Sequence, residues 1–294
     1  MSLRLEMLQV ARLAPKLLGD SADLVRGFLL SQQHPGGGFT DRAGDPDLYY
    51  TVFGLEGLLA LRADLPVSAT AAYLTAFGDG RDLDFVHLAC LARSWAALPK
   101  ELRTTVPADT ILGHVETYRS GDGGYAVTAG QADGTLYGCF LALGTYQDLG
   151  RSLPDPAVML ACATRLRAAD GGYANQLDVP QGLTPSTAAA VTLFRTLDGP
   201  PHPELAAWLL ARCRPEGGFF ATPMAPLPDL LSTATALHAL SGLHADIDAI
   251  REPCLDFLDT LGTAKGAFHG HWAADAIDCE YPYYGLLALG HLGV

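Results

Sequence analysis

The sequence predicts an all-α repeat protein of about six helix-turn-helix units. The first observation behind this is a Gly-Gly-aromatic tripeptide. It returns as Gly37-Gly38-Phe39, Gly123-Gly124-Tyr125, Gly171-Gly172-Tyr173 and Gly217-Gly218-Phe219, with a variant at Gly266-Ala267-Phe268. The second is its interval. The later copies are 48, 46 and 49 residues apart, and the first gap is close to double that. An interval of this size marks a repeat architecture, so a unit that has lost its signature is expected near Gly78-Asp79-Gly80. The third is the segment after each turn, rich in Leu and Ala without strict alternation, which favours a buried helix over a strand.

Each unit opens with an amphipathic segment, such as Asp23–Gln33 or Pro203–Cys213. The glycine turn comes next, where glycine permits a positive φ or a close backbone approach and the aromatic ring can wedge between neighbouring units. The second segments are Asp47–Ala63, Asp82–Leu98, Asp133–Leu149, Thr184–Leu197, Asp229–Leu243 and Asp278–Leu292. Several begin with Asp or Thr, which suit a helix N-cap and the positive end of the helix dipole. Residues 1–21 precede the first unit and read as an N-terminal helical extension of one 1–294 domain. A chain this long evades the limit on a single core by stacking units.

The net charge of −13 argues against nucleic acid and against an anionic membrane surface. No apolar run has membrane-spanning length, and the N-terminus has no basic-then-apolar leader. The six cysteines are dispersed in apolar stretches and form no Cys-x-x-Cys pair. They read as reduced core residues of a cytoplasmic protein.

Phe28-Leu29, Gln33 and Gly37-Gly38-Phe39 match the QW-type repeat of squalene and terpenoid cyclases. The string from Gly37 to Thr51, with Asp41-Arg42, Gly44-Asp45-Pro46 and Tyr50-Thr51, resembles the β subunits of protein prenyltransferases, the Rab geranylgeranyltransferase β subunit above all. The resemblance runs from about residue 22 to the end. It implies an α/α toroid: six parallel inner helices, six outer helices around them, and a central apolar funnel that takes an isoprenoid chain. It also implies docking to a partner subunit, which this chain does not encode.

The family's site residues are only partly present. Val86 stands where the family has an arginine, and Ala132 where it has a diphosphate-contacting histidine. The three zinc-ligand positions read Leu183, Pro185 and Ser232. Leucine and proline cannot bind zinc, so no zinc cofactor is expected. Of the linkers that lead into the inner helices, only those of the first two units carry cations, Arg42 and Arg81. These expectations describe an isoprenoid-handling, prenyltransferase-β-like protein with a degenerate zinc and diphosphate site. The alternatives are a non-catalytic binder of an apolar chain, a partner-docking subunit, and a terpenoid-cyclase-like enzyme.

For the cyclase alternative, no Asp-x-Asp-Asp occurs, and the nearest approaches are Asp82-Leu83-Asp84 and Asp278-Cys279-Glu280. A buried carboxyl facing an apolar cavity has a raised pKa and can act as an acid. Glu280 is therefore the first catalytic candidate, with Asp278 and Asp84 beside it. His269, His271, Asp275, Asp278, Cys279 and Glu280 lie in one stretch that could also bind a metal. The expected funnel lining is Tyr49, Phe53, Phe85, Tyr137, Tyr281 and Tyr284, with Tyr50 and His87 close by. The expected polar rim is Asp47, Asp82, Asp84, Asp278 and Glu280, and Arg42 and Arg81 are the candidates for an anionic headgroup.

Overall fold

The computed structural model describes residues 2–294. Six inner helices of 13 residues each form a closed ring: α4 (Leu48–Ala60), α6 (Phe85–Ala97), α8 (Leu136–Asp148), α10 (Thr184–Thr196), α12 (Leu230–Gly242) and α14 (Glu280–Leu292). Each packs on the next, and α14 packs back on α4. Thirteen residues give a ring about 20 Å deep. The outer layer is α3 (Ser21–Ser31), α5 (Val67–Thr75), α7 (Ala108–Glu116), α9 (Pro156–Arg165), α11 (Glu204–Leu210) and α13 (Asp248–Leu261). The architecture is an α/α toroid with six units, and Gly78-Asp79-Gly80 lies in the turn of the second, where Gly80 has a φ of 77°. The only regular sheet among the described residues is a two-stranded pair, β1 (Phe39–Thr40) with β2 (Pro46–Asp47), antiparallel with Phe39 opposite Asp47.

The repeat has a physical cause that the structure makes specific. The first glycine of every copy (Gly37, Gly123, Gly171, Gly217, Gly266) has a φ between 83° and 95°, a region that costs other residues about 1–2 kcal/mol. In most units it also touches the outer helix of the next. A Cβ at Gly37 would overlap the carbonyl of Ala69 on α5, and one at Gly217 the carbonyl of Pro253 on α13. Gly266 presses on the backbone of Leu24, on α3 of the first unit, so the same contact closes the ring. The expected wedge between units is seen at Tyr125, which meets Phe85 of the preceding unit at 6.3 Å between ring centres, but not in the first and last units. Phe39 packs on Gly54 of its own inner helix, and Phe268 on Gly285 of its own. Only a glycine is small enough for the joint, which leaves the ring to fill the space inside the unit. A threonine hydroxyl one turn into the inner helix accepts from the N–H of the aromatic residue: Thr51 for Phe39, Thr187 for Tyr173 and Thr233 for Phe219, each at 2.9 Å.

Gly217→Ala is accordingly expected to cost about 3 kcal/mol or more, since overpacking adds about 1–3 kcal/mol to the backbone strain. Gly171→Ala, where a Cβ meets nothing within 4 Å, should lose only the strain, about 1–2 kcal/mol. Denaturant melts of the two variants check this, and equal losses would remove the helix contact from the explanation.

The N-terminal helix α1 (Leu3–Ala11) lies across the C-terminal end of the ring. It packs against α14, α4 and α8. Leu3 donates its N–H to Gln147 Oε1 at 2.8 Å, Arg4 pairs with Glu56, and Glu6 pairs with Arg195. A short helix, α2 (Pro15–Leu18), leads from it to α3. The extension is thus a plug that closes one end of the toroid, and the centre opens only at the N-terminal ends of the inner helices. No helix among the described residues is long and apolar enough to cross a membrane.

Candidate functional site

The toroid encloses a cavity of about 480 Å³ that receives side chains from all six inner helices and Met7 from the plug. Its walls differ. Helices α4, α8 and α14 present aromatic rings: Tyr49, Phe53, Tyr137, Phe140, Tyr283 and Tyr284. Helix α10 presents small residues, Pro185, Ala188 and Ala189. Phe53 sits between Tyr49 at 4.9 Å and Tyr284 at 5.5 Å, ring centre to ring centre, in edge-on and tilted packings that aromatic pairs prefer. Tyr137 marks the open end, 40% exposed.

Glu280 stands at that end, on the first turn of α14. It lines the cavity and accepts a 2.8 Å hydrogen bond from the Tyr49 hydroxyl. Burial pushes its carboxyl above the ordinary range and Asp278 adds to this, while the Tyr49 bond and Arg42 pull it back. The Tyr49 phenol is itself pushed far up, mainly by burial. At the open end, therefore, a carboxylic acid whose burial favours its protonated form faces the aromatic walls of the cavity.

The other rim acids are engaged in structure. Asp47 caps α4 by accepting from Tyr49 and Tyr50, Asp84 caps α6 by accepting from His87, and Asp278 accepts from the Glu280 N–H at 2.9 Å. His87 bridges Asp84 at 2.9 Å and Asp47 at 3.3 Å. The Asp47 bond, with help from Asp84, raises its pKa to about 9, so it is an imidazolium between two carboxylates at neutral pH. It is a staple between the first two units and not part of the cavity wall.

Arg42 reaches from the first unit to the last and holds the buried Asp278 through two contacts, Nε at 2.9 Å and Nη2 at 2.8 Å. Tyr50 is half-buried beside Tyr49. Arg81 is exposed on Asp79, and Asp82 is exposed. Arg42 is committed to a buried carboxylate, and neither arginine lines the cavity.

Two expected lining residues lie elsewhere. Phe85 is fully buried and stacks on Tyr118 at 4.9 Å, in the layer between inner and outer helices. Phe85 is the first residue of α6, whereas α4 and α8 face the cavity with their second residues, Tyr49 and Tyr137; α14 begins one residue later in this phase, so its first residue, Glu280, faces the cavity. Tyr281 turns one residue away from the cavity, against Gly270, into a separate surface pocket with Asp229 and His271.

The three zinc-ligand positions do not fit the ion. Leu183 and Pro185 are apolar wall, and Ser232 is buried with its hydroxyl donating to Asp229 at 2.7 Å. No three His, Cys, Asp or Glu side chains converge on a metal-sized space among the described residues. His271 Nδ1 accepts from the Ala273 N–H, and Asp278 is held by Arg42.

Sequence reasoning missed the closed end. Arg93, on the third turn of α6, lines the cavity and donates from Nε to Asp148 at 3.1 Å. Below it the plug supplies Arg4 to the fully buried Glu56. His238 also lines this end, its Nδ1 3.1 Å from His291 Nε2, and burial lowers its pKa to about 4, so it is neutral. A signal existed. Arg93 and Glu56 are the charges in Phe85–Ala97 and Leu48–Ala60 that fall in the apolar middle of the helix, where a charge is costly unless it is paired.

A family model for the prenyltransferase alpha-alpha toroid domain matches residues 7–107 and 188–292. No curated protein sequence matches the chain significantly. Among solved structures, a Candida albicans protein geranylgeranyltransferase-I complexed with GGPP aligns with a TM-score of 0.65 at 14% identity, covering 92% of this chain and 90% of that one. A type II terpene cyclase from Scytonema, in complex with geranylgeranyl dihydroxybenzoate, aligns at 0.63 and 14%, covering 95% and 97%. A polysaccharide lyase aligns at 0.58 and 13%, covering 96% and 97%. At these identities the likeness is one of fold.

Proposed function

The chain belongs to the prenyltransferase alpha-alpha toroid family, and on that premise we propose that it binds a neutral, isoprenoid-like apolar chain in its central cavity, without a zinc ion or a diphosphate. The observation that carries this is the cavity itself: aromatic and aliphatic walls, a plug at one end, and a mouth whose arginine is already paired. Apolar burial contributes about 25 cal/mol per Å², so such a wall holds a chain without help from its headgroup. At about 30 Å³ per water-sized group, 480 Å³ accommodates about sixteen groups, close to a farnesyl chain. A diphosphate brings several charges, and Arg93, the cation in the wall, is shared with Asp148. Its desolvation would go largely uncompensated.

The test is a pair of titrations, farnesol against farnesyl diphosphate at one ionic strength. Farnesol should bind at least as tightly. If the diphosphate binds ten-fold tighter, about 1.4 kcal/mol, the reading is wrong and an active transferase takes its place.

Glu280 favours a second reading within the same site. A carboxylic acid against an aromatic cavity can donate its proton to an alkene, and the surrounding rings stabilise the resulting cation. Extraction of the farnesol after incubation separates the two. Unchanged alcohol supports a binder. A cyclised isomer that disappears in Glu280→Gln supports an acid-initiated cyclase.

A further inference from the structure

The cavity is not uniformly apolar, and a charged donor lies at its closed end. Arg93 is half-buried, with 18% of its side-chain surface accessible, and it lines the cavity. Nε is taken by Asp148. The two terminal NH₂ groups have no hydrogen-bond partner among the described residues. Thr145, Thr192 and Thr235 spend their protons on the carbonyls of Leu141, Ala188 and Leu231 on their own helices, and Glu56, whose charge also acts on Arg93, makes no hydrogen bond to it.

The charge around Arg93 is already balanced. Asp148 faces Arg93, and Glu56 faces Arg4, so two cations meet two anions. His238 adds no charge at neutral pH. An anion here would leave a net negative charge in a closed, water-poor space. A neutral oxygen adds none and satisfies donors that are costly to leave unmade. Terminal guanidinium groups aimed into an apolar cavity therefore select an acceptor without charge.

We infer that the closed end of the cavity is a binding subsite in which Arg93 donates to a neutral oxygen, a hydroxyl or carbonyl, on the leading end of an apolar chain of about farnesyl length. The inference rests on the apolar-chain reading above and adds the polarity and direction of the ligand. The chain enters oxygen first, and its hydrocarbon end lies against Tyr49, Tyr137 and Tyr284 at the mouth. The subsite is distinct from the Glu280 end, because Arg93 is on the third turn of α6 and Glu280 opens α14.

The probes are geranylacetone and the hydrocarbon of the same skeleton without its carbonyl oxygen, each measured by displacement of a bound apolar dye. The readout is the ketone-to-hydrocarbon affinity ratio, which cancels the difference in solubility when wild type and variant are compared. Arg93→Met combined with Asp148→Asn removes the donor without stranding a charge. The ratio is expected to fall at least about ten-fold, the range for a hydrogen bond to a charged group, with hydrocarbon binding retained. Arg151→Met, which removes an exposed arginine paired with Asp109 outside the cavity, should leave the ratio unchanged. A ratio that stays within about two-fold in the double variant overturns the subsite, as does a ratio that falls equally in Arg151→Met.

A second measurement needs no variant. The C=O stretch of geranylacetone bound to the wild-type protein should lie below its value in hexane, as for a carbonyl that accepts from a guanidinium. An unshifted stretch overturns the inference. If neither probe displaces the dye, the apolar-chain reading and the subsite fail together. If both do and the carbonyl makes no difference, the subsite alone fails.

Discussion

Ala189→Trp is expected to lower the affinity for farnesol at least about a hundred-fold, or about 2.7 kcal/mol, with little change in the melting temperature. Ala189 is on the small-residue wall of α10 and lines the cavity. An indole there enters empty space and does not overpack a filled core. It brings about 150–250 Å² of surface, which at about 25 cal/mol per Å² displaces about 4–6 kcal/mol of wall contact from the ligand. The hundred-fold figure allows the chain to recover about half by shifting. Calorimetric titration with a parallel thermal melt checks both halves. Undiminished binding in a folded variant would place the ligand outside the toroid and end the central-cavity reading.

Arg4→Met is expected to destabilise the protein by about 3–5 kcal/mol, the range for stranding one partner of a buried pair. Glu56 is 1% exposed, and its Oε2 has no partner among the described residues even with Arg4 in place. Burial already holds the Glu56 carboxyl above the ordinary range, and Arg4 and Arg93 pull it down. Without Arg4 the folded-state pKa rises further. A group whose folded pKa exceeds its unfolded value stabilises below the unfolded pKa, and that stability is lost as the pH rises through the folded pKa. The deficit should therefore be larger at pH 8 than at pH 5. Urea melts at the two pH values measure it. A loss under about 1 kcal/mol, or one equal at both, would mean that the pair is not the lock that holds the plug. Adding Glu56→Leu should recover most of the loss, because an apolar replacement of a buried pair is often neutral.

Both variants probe features of different legibility. Ala189 lies in a segment that the sequence identifies as an inner helix, and its neighbours Tyr49, Phe53, Tyr137, Tyr284 and Glu280 are nameable as cavity residues from the sequence alone. They fall in the first two turns of the inner helices, and the repeat supplies those turns unit by unit. Phe85 and Tyr281 were misplaced by one residue of phase. A one-residue shift on a helix is about 100°, enough to move a ring from the cavity to the layer outside it. Arg42 was assigned to a headgroup because its only visible attribute was charge. Its partner, Asp278, is at the far end of the chain, and only closing the ring brings them within 2.9 Å.

By itself the sequence determined that this is a helical repeat ring, where each unit turns, which helices are inner, and that the zinc positions hold leucine, proline and serine. These are local properties: glycine conformation, apolar periodicity and residue identity at a fixed offset in a repeat. Tertiary structure alone decided what lies at the two ends of the cavity. The plug that closes it, the Arg4–Glu56 and Arg93–Asp148 pairs beneath, and the Arg42–Asp278 clasp all join residues between 52 and 236 positions apart. Such pairings depend on how six units close into a circle, and no interval within a unit records that closure.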